Sequence, residues 1–366
     1  MSKHLPRAGQ FRPQLDSLRA FAVIGVVLSH TSPQYTVLQY IRPGDRGVQL
    51  FFVLSGFLIS GILFDAIKAR GVSALIPFFV RRVLRLLPIF YLVLAVTTLV
   101  AWEELKNSWA FHAFYLSNFR FISLGDWEEY TAHFWTLSLE EQFYLIWPIV
   151  LVFSPARYWH IAIACLLLIG LATRFYFEIT GKWVQFGVGL IPTYYADDFA
   201  GGAAIALWLR SRPSIALVKR VAFLTGITGA IALAIIYASL GPLRASNSTL
   251  DVTGWMMISV GLILLCYVGI DGRIGKWIES RPVLVTGRIS YGIYLWHVLA
   301  IIAAQNLANY SGLYGALGQF GWITVFIGAT IFSIVLAGLS WYFIESRILA
   351  LKNKVPYHKS IAAEYS

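Results

Sequence analysis

Residues 48–64 read VQLFFVLSGFLISGILF, a run without one charged side chain. As a helix it rises about 25 Å, close to the hydrocarbon thickness of a bilayer, so it reads as a membrane span. Working outward, comparable apolar runs fall near 15–32, 78–101, 137–153, 158–177, 194–209, 221–240, 254–270, 289–308 and 320–343. With 58% hydrophobic and only 13% charged residues over 366 positions, the composition excludes a soluble enzyme body. The expected fold is an all-α polytopic membrane protein, a bundle of about ten transmembrane helices.

Charge orients the chain. With a cytoplasmic N-terminus, the inner segments hold most of the 29 Lys and Arg residues, among them Arg81, Arg82, Arg85, Arg210, Arg212, Arg273 and Arg288. That is the asymmetry of the positive-inside rule, and both termini are expected in the cytoplasm. The longest outer interval, about 103–134, carries Glu103, Glu104, Asp126, Glu128 and Glu129. The net charge of +11 is spread over inner loops and forms no reading face, so nucleic acid is excluded as a partner. The expected organisation is a cytoplasmic segment 1–14, a membrane domain 15–345 and a basic cytoplasmic tail 346–366. Basic residues run straight into Leu15, so no cleaved signal is expected. Cys165 and Cys266 lie inside apolar runs and are expected as buried thiols.

Polar residues inside this apolar pattern are the candidates for chemistry. RAFAVIGVVLSH (19–30) places Arg19 at the inner end of the first span and His30 at the outer end, about 16 Å apart, just before the helix-stopping TSP of 31–33. Each alone also reads as an interfacial residue. FFVRRVLRLLP (78–88) puts Arg82 and Arg85 on one helix face, which suits phosphate oxygens and also satisfies inner-face topology. In HFWTLSLEEQFYLIWP (133–148), Ser138 and Glu141 fit a capping box, which leaves Glu140 as a carboxylate suited to partner the imidazole of His30.

Further candidates admit two readings. Ser55 and His297 are either helix-contact residues or ligand contacts. Asp197, beside Asp198, is a helix-start acid or a contact to an acceptor sugar. Trp135, with Trp127, Tyr130 and Phe134, is part of an interfacial belt or stacks on sugar rings. His112 and His133 lack metal-ligand spacing, so no metal is expected.

Five stretches in order, LDSLRAFAVIGVVLSH, GVQLFFVLSGFLIS, FFVRRVLRLLPIFY, FWTLSLEEQFYLIWP and ISYGIYLWH, with WYFIE closing at Glu345, resemble membrane-bound acyltransferase family 3. Its bacterial members O-acylate cell-envelope and secreted glycans. The resemblance implies that Arg19 and His30 are the family's Arg and His separated by ten residues, with His30 essential. It places the arginine motif on Arg82 and Arg85, W-S-L-x-x-E on Trp135, Thr136, Leu137 and Glu140, and the terminal motif on Ser290, Tyr291, Tyr294, Leu295 and His297. Gln49 and Thr136 depart from the usual Asp and Ser. Many relatives add an SGNH hydrolase-like domain; the expectation here is the membrane domain without it.

The resemblance also implies an acyl-CoA co-substrate, acetyl-CoA by default, with no permanently bound cofactor, and a carbohydrate or glycolipid acceptor outside a bacterial inner membrane. On that basis Arg19, Arg82, Arg85, Ser55 and His297 serve the donor, and Trp135 and Asp197 the acceptor. His30 acts as general base with Glu140 orienting it, or alternatively as an acyl-carrying nucleophile. Remaining expected partners are the lipid bilayer and a second copy of the chain in a homo-oligomer. The competing class is an envelope lipid or glycan transporter that uses His30 and His297 as relay groups; release of free coenzyme A separates the two.

Overall fold

The computed structural model describes residues 12–33, 37–182, 185–241 and 248–354. Residues 1–11, with Lys3 and Arg7, and the end of the tail, with Lys359, lie outside the described residues. Numbered in chain order, the principal helices are α1 (Pro13–Thr31), α2 (Pro43–Arg70), α3 (Leu75–Val100), α4 (Ser117–Leu124), α5 (Phe134–Phe153), α6 (Trp159–Ile179), α7 (Ala196–Trp208), α8 (Ile215–Leu240), α9 (Thr249–Val268), α10 (Arg281–Arg288), α11 (Ser290–Tyr310) and α12 (Gly321–Ser340).

No strand occurs among the described residues, and seven helical stretches there are long and apolar enough to cross a membrane. One of them, Pro43–Val100, contains both α2 and α3, joined by a 3-10 turn at Gly71–Ala74. Two of the runs expected as spans are not among the seven. α7 has 13 residues, and α1 opens on the polar Gln14, Asp16, Ser17 and Arg19.

Local chemistry sets the helix ends. Pro13 occupies the first turn of α1, where its missing N–H costs nothing. Ser32, pushed to an extended conformation ahead of Pro33, stops it (φ −81°, ψ 137°). Ser214 and Ser248 cap α8 and α9 by accepting from the N–H groups of Leu217 and Asp251.

The chain divides into two compact units, Met1–Gly61 with Ile163–Ser290 and Ile62–Ala162 with Tyr291–Ser366. The first is held by close helix contacts over small residues. A Cβ on Gly56 would collide with the Phe199 carbonyl, and one on Gly202 with the Val53 carbonyl, so α2 and α7 touch backbone to backbone. Gly47 meets Ala22 in the same way, and Gly254 meets Gly229. Gly202→Ala should destabilise this unit by about 1–3 kcal/mol through overpacking, read as a lower melting temperature in detergent. A melting curve equal to wild type would mean that the two helices separate freely.

In the second unit, Phe90 of α3 stacks on Tyr115 at 4.3 Å and tilts against Phe134 of α5 at 5.4 Å. The interval 103–134 thus folds as short helices, Trp102–Leu105, Trp109–Ala113 and α4, packed between α3 and α5 in sequence. The capping box expected at Ser138 and Glu141 does not form. α5 begins a turn earlier, at Phe134, so Ser138 bonds back to the Phe134 carbonyl at 3.0 Å and accepts from the Ser117 N–H at 3.2 Å. Of the two thiols expected to be buried, Cys266 is; Cys165 is exposed, because an apolar residue on a bilayer-type helix has no need of protein cover.

Candidate functional site

In the first unit, His30 occupies the last turn of α1 and is exposed. The ring folds back on its own helix, with Nδ1 3.0 Å from the Val26 oxygen. A carbonyl only accepts, so Nδ1 carries the proton and Nε2 is the basic nitrogen of the neutral ring. Arg19, at the other end of the helix, donates to Asp16 Oδ1 at 3.0 Å and stays 20% exposed. Ser55 is half-buried on α2, next to the Gly56 contact with α7.

Asp197 is fully buried, with both oxygens held by Arg174 of α6. Arg174 donates further to the Tyr194 carbonyl and to Thr253 Oγ1 at 3.1 Å. Arg46 of α2 makes a second buried pair, bonding Asp251 at 2.8 and 3.0 Å, Tyr237 at 3.0 Å and Gln49 Oε1 at 3.0 Å. Gln49, the residue found in place of Asp, therefore accepts one Arg46 N–H and passes its own to the Val252 carbonyl at 3.3 Å. Sequence reading missed both pairs. For Arg174 the available signal was an isolated Arg within an apolar run, which demands an acid partner; Arg46, in the polar PGDRG of 43–47, gave no such signal.

In the second unit, Arg82 lies over the Tyr144 ring at 4.3 Å and lines a cavity of about 370 Å³ together with Tyr91, Tyr115, Leu116, Glu141 and Gln142. From Arg82 to Tyr91 this cavity follows α3 for about 14 Å. Arg85 is exposed and feels the charge of the buried Glu345. Glu140 is half-buried at the start of α5, one position before the cavity-lining Glu141. Trp135 is half-buried in the first turn of the same helix. Thr136 keeps a hydroxyl where Ser is usual and uses it on Tyr294 Oη at 2.6 Å and the His133 carbonyl at 3.1 Å. His297 is fully buried on α11, with Nδ1 on the Tyr294 carbonyl and its ring edge-on to His133, centroids 4.7 Å apart.

The interval between α3 and α5 holds a network that sequence reading passed over as scattered histidines. His112 Nε2 is 2.8 Å from Glu128 Oε2, and Nδ1 is 2.9 Å from Ser117 Oγ. Arg120 Nε reaches Glu128 Oε1 at 3.1 Å. Burial works to raise the Glu128 carboxyl, but hydrogen bonds from His112, Ser108 and Arg120 outweigh it and hold the group below the ordinary carboxylate range. No three His, Cys, Asp or Glu side chains among the described residues gather as a metal site.

Residues 12–342 match the model of a family described as an acyltransferase domain. The chain belongs to this acyltransferase family. That is the family the five motifs resemble. Among curated relatives, the O-acetyltransferase OatA of Staphylococcus aureus (strain NCTC 8325 / PS 47) is 29% identical over 369 residues, covering 93% of this chain and 57% of the relative. The "Putative peptidoglycan O-acetyltransferase YrhL" of Bacillus subtilis (strain 168) is 30% identical over 379 residues, covering 94% and 56%. The acyltransferase chain thus spans a little over half the length of these relatives. No solved structure matches it.

Proposed function

We propose that the chain is an integral membrane O-acyltransferase that moves an acetyl group from acetyl-CoA, bound at the cytoplasmic face, to a hydroxyl of an extracytoplasmic glycan of the peptidoglycan type. The observation that carries this reading is His30: exposed at the end of α1, with Nδ1 on the Val26 oxygen, in a chain of the acyltransferase family. His30 removes the proton of the acceptor hydroxyl as its oxygen attacks the acyl carbon. Glu140 enters as the motif carboxylate that assists it, and Trp135 and Asp197 stay on the acceptor side of the proposal. Asp197 would act there indirectly, by fixing the first turn of α7 through Arg174.

Arg82 and Arg85 hold the coenzyme A phosphates, with Arg19, Ser55 and His297 assigned to the donor side. The setting proposed is a bundle of about ten spans in a bacterial inner membrane, with both termini cytoplasmic, acting as a monomer or homo-oligomer. No cofactor is bound permanently.

The test is free thiol release from acetyl-CoA by purified protein in nanodiscs, with and without a peptidoglycan extract. Acceptor-dependent release is expected. Arg82→Ala should raise the KM for acetyl-CoA roughly tenfold or more while kcat changes little, because a charge-assisted bond to phosphate is made equally in ground and transition states. Absence of thiol release with every glycan tried would reject the acyltransferase reading and leave transport as the account.

A further inference from the structure

The network around His112 has the connectivity of a nucleophile, a base and an orienting acid. A carboxylate only accepts, so the 2.8 Å contact from Glu128 fixes the His112 proton on Nε2 and makes Nδ1 the basic nitrogen. Nδ1 therefore receives the Ser117 hydroxyl at 2.9 Å. Glu128 is in turn oriented by Arg120, and Thr131 Oγ1 lies 3.3 Å from His112 Nε2. Ser117, His112 and Glu128 are 1%, 0% and 4% exposed, so a charge formed on the imidazole would face an ionised acid with water excluded.

Two further features point at Ser117. The chain just before it forms the cavity wall at Tyr115 and Leu116, and Tyr115 stands in the left-handed region at φ 54°, a strain rare for a bulky residue. Arg82 marks the far end of the same cavity.

We propose that Ser117 is an acyl-carrying nucleophile, activated by His112 and Glu128, and that the acyl-pantetheine arm of the donor reaches it along the cavity from Arg82. This rests on the acyltransferase reading and adds a covalent intermediate to it. In the first half-reaction Ser117 Oγ bonds to the acyl carbon and the carbon–sulfur bond breaks. The Ser117 proton passes to His112 Nδ1 and then to the departing thiolate. In the second, the acceptor oxygen bonds to the acyl carbon and the ester bond to Ser117 breaks. The acceptor gives up its proton as it attacks, and Ser117 Oγ takes one back through His112. Leu116, 38% exposed and next to Ser117 in the chain, is part of the cavity wall.

The experiment incubates the purified chain with radiolabelled acetyl-CoA without acceptor, then denatures it and maps the label by peptide mass spectrometry. Wild type is expected to carry about one ester-linked acetyl per chain at Ser117. Ser117→Ala loses the label, and Ser117→Cys, which preserves the packing, carries a thioester at the same peptide. His112→Gln slows labelling at least tenfold. His30→Ala still labels but fails to discharge when a peptidoglycan extract is added. Label on any other residue, His30 included, overturns the proposal. So does acceptor-dependent thiol release without a labelled chain, which leaves the acyltransferase reading standing. No thiol release under any condition rejects both.

Discussion

His30→Ala should lower acetyl transfer to glycan by about 10²- to 10⁴-fold, the span that loss of a positioned general base produces. The KM for acetyl-CoA should stay close to wild type, since the imidazole sits at the end of α1 opposite Arg19 and is not assigned to donor binding. His30→Gln is the sharper comparison. Its amide fills similar space and can still donate to the Val26 carbonyl, yet it has no basic nitrogen. If the glutamine variant turns over near wild type, the ring is a structural end-piece of α1 and proton abstraction lies elsewhere. Matching melting curves for both variants keeps a folding defect from imitating a catalytic one.

Arg174→Met should be the most damaging single change to the fold of the first unit, costing about 3–5 kcal/mol. Arg174 is 1% exposed and Asp197 not at all, and every oxygen of Asp197 relies on the guanidinium. Deleting the arginine abandons a carboxylate among apolar helices, beside the equally buried Asp198. The pair as a whole is worth far less than its breakage costs, because two desolvated charges repay little more than they lose. The double change Arg174→Met with Asp197→Leu should therefore melt well above Arg174→Met alone. Thermal unfolding and protease resistance in detergent measure both, and a single variant as stable as wild type would show that the ion pair holds nothing together.

Helix positions were largely legible in the sequence because length and hydropathy are local properties. Each expected apolar run falls on a helix, and Pro33 stops α1 where the chain chemistry predicts. The exception at Ser138 is instructive. A capping signature is a matter of four residues, and it was overruled by Phe134, which starts α5 a turn earlier by packing on Phe90. Membership of the acyltransferase family was legible for a related reason: its motifs are short runs whose spacing survives without knowledge of what they touch.

What the sequence by itself determined is therefore the helical membrane architecture, the order of the motifs and the positions of Arg19 and His30 at opposite ends of one helix. Only the tertiary structure decided the partnerships of buried polar groups. Arg174 with Asp197, Arg46 with Asp251, Thr136 with Tyr294, and Ser117 with His112 and Glu128 join residues on different elements. Their pairing depends on how each helix is rotated about its axis. In chains this uniformly apolar, the 3.6-residue period carries little amphipathic signal to set that rotation, and the need to satisfy each buried charge or hydroxyl sets it instead.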